Sequence, residues 1–265
     1  MVVKMDYPIS EDVSKEFLEK VLRDFYFQGE SCKGWETNVV TQPKAVKNIV
    51  EFFRDEAVEI HVFGSTARGT NDAFSDIDIW ITFDDDKIQK AVEDRMASYL
   101  KFGEIVLMHE LQNNCPLNGI QTAIIYKIDG ELVRVDFYLC PFSSSRVFPG
   151  SKVLFEKRKV ESGNMIPETK RTKRDLSDRI TFMISMCFNG IKKVARGDTS
   201  YVDFITREFQ KYEKDIPRAF NLPKELSFDI VRKALEILNN ISNQEQKNAI
   251  IEINKFLTRV QSEIK

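Results

Sequence analysis

The chain has 265 residues, 42% hydrophobic and 30% charged, with a net charge of −2. That composition is ordinary for a soluble globular protein, long enough for one large domain or two modest ones, and it carries no global positive charge to advertise a nucleic-acid or anionic-membrane partner. Cys32, Cys115, Cys140 and Cys187 form no C-x-x-C pair and His61 and His109 complete no zinc pattern, while no apolar run reaches signal-core or transmembrane length, so the reading is cytoplasmic with reduced thiols.

The first element is a helix over "SEDVSKEFLEKVLRDFYFQ", with Val13, Phe17, Val21 and Phe25 in helical rhythm and Ser10 as N-cap. "PKAVKNIVEFFRDE" predicts a second helix with Pro43 in its first turn. "VEIHVFG" is a strand ending on Gly64, and "SDIDIWITF" is another. "DDDKIQKAVEDRMASYLKFG" returns to helix, its acidic start matching the helix dipole and Gly103 stopping it, before the short strand "EIVLMHE". "GIQTAIIYKI" and "ELVRVDFYLC", joined by Asp129-Gly130, predict a hairpin whose second strand ends at Pro141.

From "SSSRVFPGSK" to "PETKRTKR" the pattern weakens and basic residues accumulate, which reads as a junction between domains. Beyond Asp175 everything reads as helix. Ile180, Met183, Ile184, Cys187, Ile191 and Val194 share one face, and Phe182, Met186 and Phe188 make the remaining sides apolar, so this helix is central. Further helices follow over 201–220, 223–240 and from 242 on. The fold class is α+β, a mixed-sheet domain over 1–165 and a helical bundle over 166–265.

The chemistry lies in "GSTARGTNDAFSDIDIWITF". Strand alternation puts Asp76, Asp78, Trp80 and Thr82 on one face and Ile77, Ile79, Ile81 and Phe83 on the other. Two carboxylates side by side repel, and a divalent cation turns that penalty into affinity; Mg²⁺ takes carboxylate, phosphate and water oxygens. Arg134, Asp136 and Tyr138 share a face of the later strand. If the two strands are neighbours, three acids meet and can hold two metals about 3.5–4 Å apart. Gly64 permits a sharp turn with backbone N–H groups facing a ligand, Ser65 can cap a helix or bond a phosphate, and Arg68 adds a charge. His61 and His109 read as packing residues, and Asp84, Asp85 and Asp86 either open a helix or attract a cationic ligand.

In this order and spacing, Gly64-Ser65, then Ser75-Asp76-Ile77-Asp78-Ile79, then a lone strand aspartate, the sequence resembles the nucleotidyltransferase superfamily, whose fold is that of DNA polymerase β. "FGEIVLMHE", "IIYKIDGELVRVDFYLCP", "KVLFEKR" and "FMISMCFNGIKKVARGD" are similar to the aminoglycoside 6-adenylyltransferases, the streptomycin-modifying type, whereas "GSTARG" looks more like small stand-alone nucleotidyltransferases. The resemblance implies that Asp76, Asp78 and Asp136 bind two Mg²⁺ ions and that Gly64, Ser65, Arg68 and Lys192 or Lys193 hold the triphosphate of ATP. It also implies AMP transfer to a hydroxyl of a small molecule with release of pyrophosphate. The glutamate that serves as base in kanamycin nucleotidyltransferase has no counterpart, since Phe188 or Asn189 stands there, leaving Asp136 or the metal to activate the hydroxyl. The rival readings are a protein or tRNA acceptor as in toxin–antitoxin nucleotidyltransferases, a lincosamide acceptor, and a non-catalytic nucleotide-binding module. The modest net charge speaks against nucleic acid, and monomer and homodimer both stay open.

Overall fold

The computed structural model describes residues 36–111, 115–168, 175–198 and 224–263. The helices expected over 10–28 and 201–220 lie outside these residues, as does much of "PETKRTKR".

Helix α1 spans Glu36–Phe53 and so begins well before Pro43, which lies inside it rather than in its first turn. An internal proline forfeits one backbone hydrogen bond and costs about 3 kcal/mol. Burial of Ala45, Val46, Ile49, Val50 and Phe53 against the sheet outweighs that cost and carries the helix through.

Strand β1 (Glu59–Phe63) runs into the short helix α2 (Gly64–Arg68), and β2 (Ile77–Phe83) follows. The helix expected after β2 is two, α3 (Ile88–Glu93) and α4 (Arg95–Tyr99), broken at Asp94. Arg95 is the reason. Its guanidinium donates to the Val92 carbonyl at 2.5 Å, a carbonyl that a continuous helix would use internally, and grips Glu110 on the neighbouring strand at 2.6 Å.

Strand β3 is Glu104–Glu110, β4 is Ile120–Ile128 and β5 is Glu131–Pro141. The β4–β5 turn is the predicted one, with positive φ at both Asp129 (52°) and Gly130 (85°), as a two-residue hairpin of matching twist requires. Strand β6 (Lys152–Glu156) lies inside the stretch expected to be a connector and pairs antiparallel with β1. Five residues at a sheet edge, only partly buried and flanked by lysines, leave little period-2 signal to read.

The sheet order is β3-β4-β5-β2-β1-β6, with β2 and β5 parallel and every other pair antiparallel, which gives the mixed sheet expected of the α+β class. One sheet face packs on α1, α3 and α4 through Ile77, Ile79, Ile81, Val135, Phe137 and Leu139, each fully buried and worth about 2 kcal/mol.

The β3–β4 end of the other face meets α5 (Leu176–Ala195), α6 (Lys224–Ile241) and α7 (Gln244–Glu263). Asp175 caps α5 by accepting from Asp178 N–H at 2.8 Å. The six residues assigned to its apolar stripe are all buried, together with Met186 and Phe188, so α5 is central as its sequence demands. Among the described residues, no helix is long and apolar enough to cross a membrane.

Candidate active site

The parallel β2–β5 pair sets Asp78 directly opposite Asp136. Strand alternation therefore aims both carboxylates at the same side, away from the α1 core. Asp76 stands one residue before β2 rather than in it, with its backbone carbonyl accepting from Thr66 of α2 at 3.3 Å.

The loop entering α2 explains Gly64. Its φ is +72°, a conformation that L side chains resist, and a Cβ there would lie 2.5 Å from Asp78 Oδ2. Ser65 is half-buried at the start of α2 and Arg68 is exposed at its end, so both flank the aspartates from the β1 side.

Two cations reach the acids. Arg134, two residues before Asp136 on the same strand face, forks onto both of its oxygens at 2.8 and 3.0 Å and extends to Ser185 of α5 at 3.5 Å. Lys192, buried on α5, forms an ion pair with Asp76. Its ammonium sits over the Phe188 ring, 4.9 Å from the centroid. Lys193 points elsewhere and lies 3.6 Å from Asp198, so the structure brings Lys192 and not Lys193 to the aspartates.

Three carboxylates face two cations, and the imbalance falls on Asp78. No hydrogen bond or ion pair reaches its carboxylate among the described residues. Burial, then the charges of Asp136 and Asp76, push its pKa up to about 8. Burial also raises Asp136 against the pull of Arg134. Burial opposes ionisation of Asp76 too, but Lys192 and Arg134 more than offset it and hold that carboxyl below the usual range. Burial lowers the Lys192 pKa despite Asp76.

Among the described residues, no group of three or more His, Cys, Asp or Glu side chains is gathered at metal-binding distance. Asp76 and Asp136 are turned toward Lys192 and Arg134, which neutralise them. The donor set still fits a hard divalent cation, because Asp78 is an oxygen donor with no cation of its own beside two more carboxylates.

Behind the aspartates the same sheet face carries an aromatic floor. Trp80 stacks on Tyr138 at 5.2 Å, and Phe63 and Phe148 close around them. Deeper still, His61 Nδ1 lies 3.0 and 3.1 Å from the two oxygens of Glu59, both residues fully buried. Thr82 and Ser145 continue the network to the Trp80 indole N–H. His61 is thus a packing residue with a buried acidic partner.

Asp84 and Asp85 are held by structure. Asp84 pairs with Arg158 and Lys87, and Asp85 accepts from Ser143 N–H. The acidic triplet forms the turn before α3 and offers no free cluster of acid to a cationic ligand.

Sequence reasoning missed Asp72, Ser75 and Arg196. Arg196 follows Lys192 by one helical turn and forks onto Asp72 while reaching Ser75 at 3.2 Å. The four-residue spacing on the helix was the available signal. Arg134 was legible only as a neighbour of Asp136 on one strand face.

Residues 43–160 match the family model described as a nucleotidyltransferase domain, a span that covers all six strands and the aspartates. No curated protein matches the chain. Among solved structures it is similar to spectinomycin adenyltransferase AAD(9) from Enterococcus faecialis with ATP and spectinomycin, at 10% identity and a TM-score of 0.31, covering 83% of this chain and 98% of that one. A STING-associated CdnE c-di-GMP synthase from Capnocytophaga granulosa matches at 14% identity and a TM-score of 0.28, over 95% of this chain and 89% of that one. The CdnE cyclic dinucleotide synthase from Elizabethkingia meningoseptica, with GTP and Apcpp, matches at 13% identity and 0.29, over 93% and 98%. With the Gly64-Ser65 turn, the Asp76-x-Asp78 strand entry and Asp136 in register beside it, residues 43–160 form a nucleotidyltransferase domain of polymerase β-like α+β fold.

Proposed function

We propose that this nucleotidyltransferase moves AMP from ATP to a hydroxyl of a small molecule of aminoglycoside type, releasing pyrophosphate, in the cytoplasm. The observation that carries the transfer chemistry is the in-register pair Asp78–Asp136 with Gly64 packed against Asp78. The aminoglycoside acceptor rests on the sequence resemblance of the strands from "FGEIVLMHE" to "KVLFEKR" and of α5.

In this reading, residues 1–165 carry the transfer chemistry and 166–265 supply Lys192. The turn at Gly64 presents backbone N–H groups to the triphosphate, Ser65 bonds it, and Arg68 adds charge from the rim. Lys192 exchanges Asp76 for a phosphate oxygen, since its ammonium is already placed between sheet and bundle. Arg134 fixes Asp136 by two bonds, so one carboxylate in a set orientation receives the acceptor's proton. Asp76, Asp78 and Asp136 would hold two Mg²⁺ ions, which when bound would supply charge neutralisation and a lowered pKa for the acceptor hydroxyl. Trp80, Tyr138, Phe63 and Phe148 keep water from the sheet side of the site. The chain's contribution is chiefly positioning and electrostatics.

The test is mass spectrometry of an acceptor panel with ATP and Mg²⁺, together with a pyrophosphate assay. Aminoglycosides, lincosamides, nucleoside triphosphates, tRNA and protein are the acceptors. A product heavier by one AMP on an aminoglycoside hydroxyl is expected. Transfer only to another class refutes the acceptor, and ATP binding without pyrophosphate release from any acceptor refutes the enzyme reading.

A further inference from the structure

We propose that Arg196 is a positioning residue of this site, acting on Asp76 through Asp72 and Ser75. The inference rests on the transferase reading above for its kinetic readout and on geometry for the rest.

The loop from Gly69 to Ser75 delivers Asp76 to the mouth of β2. It is tied down from three elements. Gln42 of α1, itself buried, donates to the Asp72 and Ser75 carbonyls at 3.2 and 3.1 Å. Thr66 of α2 donates to the Asp76 carbonyl. Both ties come from the sheet's own helices and hold backbone.

The third tie comes from the other side. The Arg196 Nε donates to Asp72 Oδ2 at 2.6 Å, while Nη2 reaches Asp72 Oδ1 and Ser75 Oγ. Asp72 is in turn organised to receive it. Its Oδ1 accepts from Phe74 N–H and Ser75 O–H, both at 3.0 Å, and its own N–H donates to Ser75 Oγ at 2.9 Å. Burial works against ionisation of Asp72, yet Arg196 holds it below the usual carboxylate range.

The spacing makes this a two-point dock. Lys192 and Arg196 are four apart at the end of α5, and Asp76 and Asp72 are four apart along the loop. One turn of helix therefore lays two cations on two acids. Core packing already fixes α5, whereas Lys192 grips the loop only at Asp76; the planar fork at Arg196 adds a hold on Asp72 and Ser75 and so fixes where the loop sets Asp76 beside Lys192. The fork geometry matters as much as the charge, so lysine is a poor substitute.

The experiment compares Arg196→Met, Arg196→Lys, Asp72→Asn and the Arg196→Met/Asp72→Asn pair in the full chain. Three quantities are read: kcat and KM for ATP, the affinity for Mn²⁺ alone by electron paramagnetic resonance, and the melting temperature. Arg196→Met is expected to lower kcat at least tenfold with KM for ATP within threefold, and to weaken Mn²⁺ binding at least fivefold. Asp72→Asn, which keeps side-chain volume and folds more safely, is expected to give the same losses, with the pair less than twofold worse than either. Arg196→Lys is expected to recover less than half of the lost kcat. Unchanged kcat and Mn²⁺ affinity in either single variant overturns the proposal whatever happens to melting, and so do losses that multiply in the pair. Mn²⁺ affinity reads the positioning without any acceptor, so a failed transferase assay and a failed positioning role are told apart.

Discussion

Replacing Asp78 with Asn should stabilise the metal-free protein at alkaline pH while abolishing turnover. The carboxyl titrates near 4 in the unfolded chain and at about 8 in the folded one, so between these values the folded state holds an extra proton. Folded-state stability is then greatest below pH 4 with respect to this group and falls as pH rises through 8. A shift of that size sets a ceiling of about 6 kcal/mol. Solvent reaches the half-buried side chain and its repulsion is shared with Asp136 and Asp76, so about 2 kcal/mol is the expected cost at pH 8.5. For a domain of this size that is about 4–8 °C in melting temperature. Thermal melts in chelator at low salt should therefore bring wild type and Asp78→Asn together near pH 4 and below, where the wild-type carboxyl is protonated in both folded and unfolded states, and separate them progressively as pH rises toward 8. By pH 8.5 the variant should melt higher, and added Mg²⁺ should close the gap by stabilising only the wild type. Turnover in the variant should fall at least 1,000-fold, about 4 kcal/mol of barrier. Melting curves that run parallel from pH 5 to 8.5, or a wild type that gains on the variant as pH rises, would refute the reasoning.

Gly64→Ala should cost about 1–3 kcal/mol for the forced positive φ and reduce turnover about 100-fold by displacing Asp78, measured by urea unfolding and pyrophosphate release. Lys192→Met should lower kcat/KM at least 100-fold, whereas Lys193→Met, whose ammonium lies against Asp198, should cost less than threefold; equal effects would return the phosphate role to both. At subsaturating Mg²⁺, wild-type kcat/KM should rise with pH and be half-maximal near 8, because Asp78 must shed its proton to accept a cation, and a flat profile from pH 6 to 8.5 would contradict this. His61→Phe should destabilise by about 3 kcal/mol in urea unfolding, since it leaves the buried Glu59 side chain with the Thr82 hydroxyl in place of its two His61 contacts, and a loss under 1 kcal/mol would show that Glu59 is not relying on His61.

Much of the aspartate-bearing face is legible because it follows from parity. Ile77, Ile79 and Ile81 must be buried, so Asp78 must face the other way, and the same reasoning fixes Asp136 from Val135 and Phe137. What alternation could not supply was adjacency. That β2 and β5 are neighbours, and parallel, depends on a crossover with two intervening strands. Asp76 was misplaced for a related reason: it looks like a strand residue in the sequence, but Lys192 and Thr66 hold it in the preceding loop. The edge strand β6 left too little alternation to see, and the break at Asp94 comes from one arginine side chain competing for a carbonyl. The aspartates' counter-ions were partly hidden. Lys192 could be picked from the helix but not separated from Lys193, and Arg196 reaches a loop with which it shares no local pattern.

The ion pairs between α5 and the aspartate loop also bear on the order in which the molecule is made. Lys192 and Asp76 are 116 residues apart, and Arg196 and Asp72 are 124 apart. Synthesis runs from the N-terminus, so the strands carrying Asp78 and Asp136 emerge with Arg134 already beside them, while the two cations that complete the neutralisation are still to be translated. A nascent sheet thus presents its aspartates to solvent before it meets its own lysine, and the helices must close over acids that their cations have yet to neutralise.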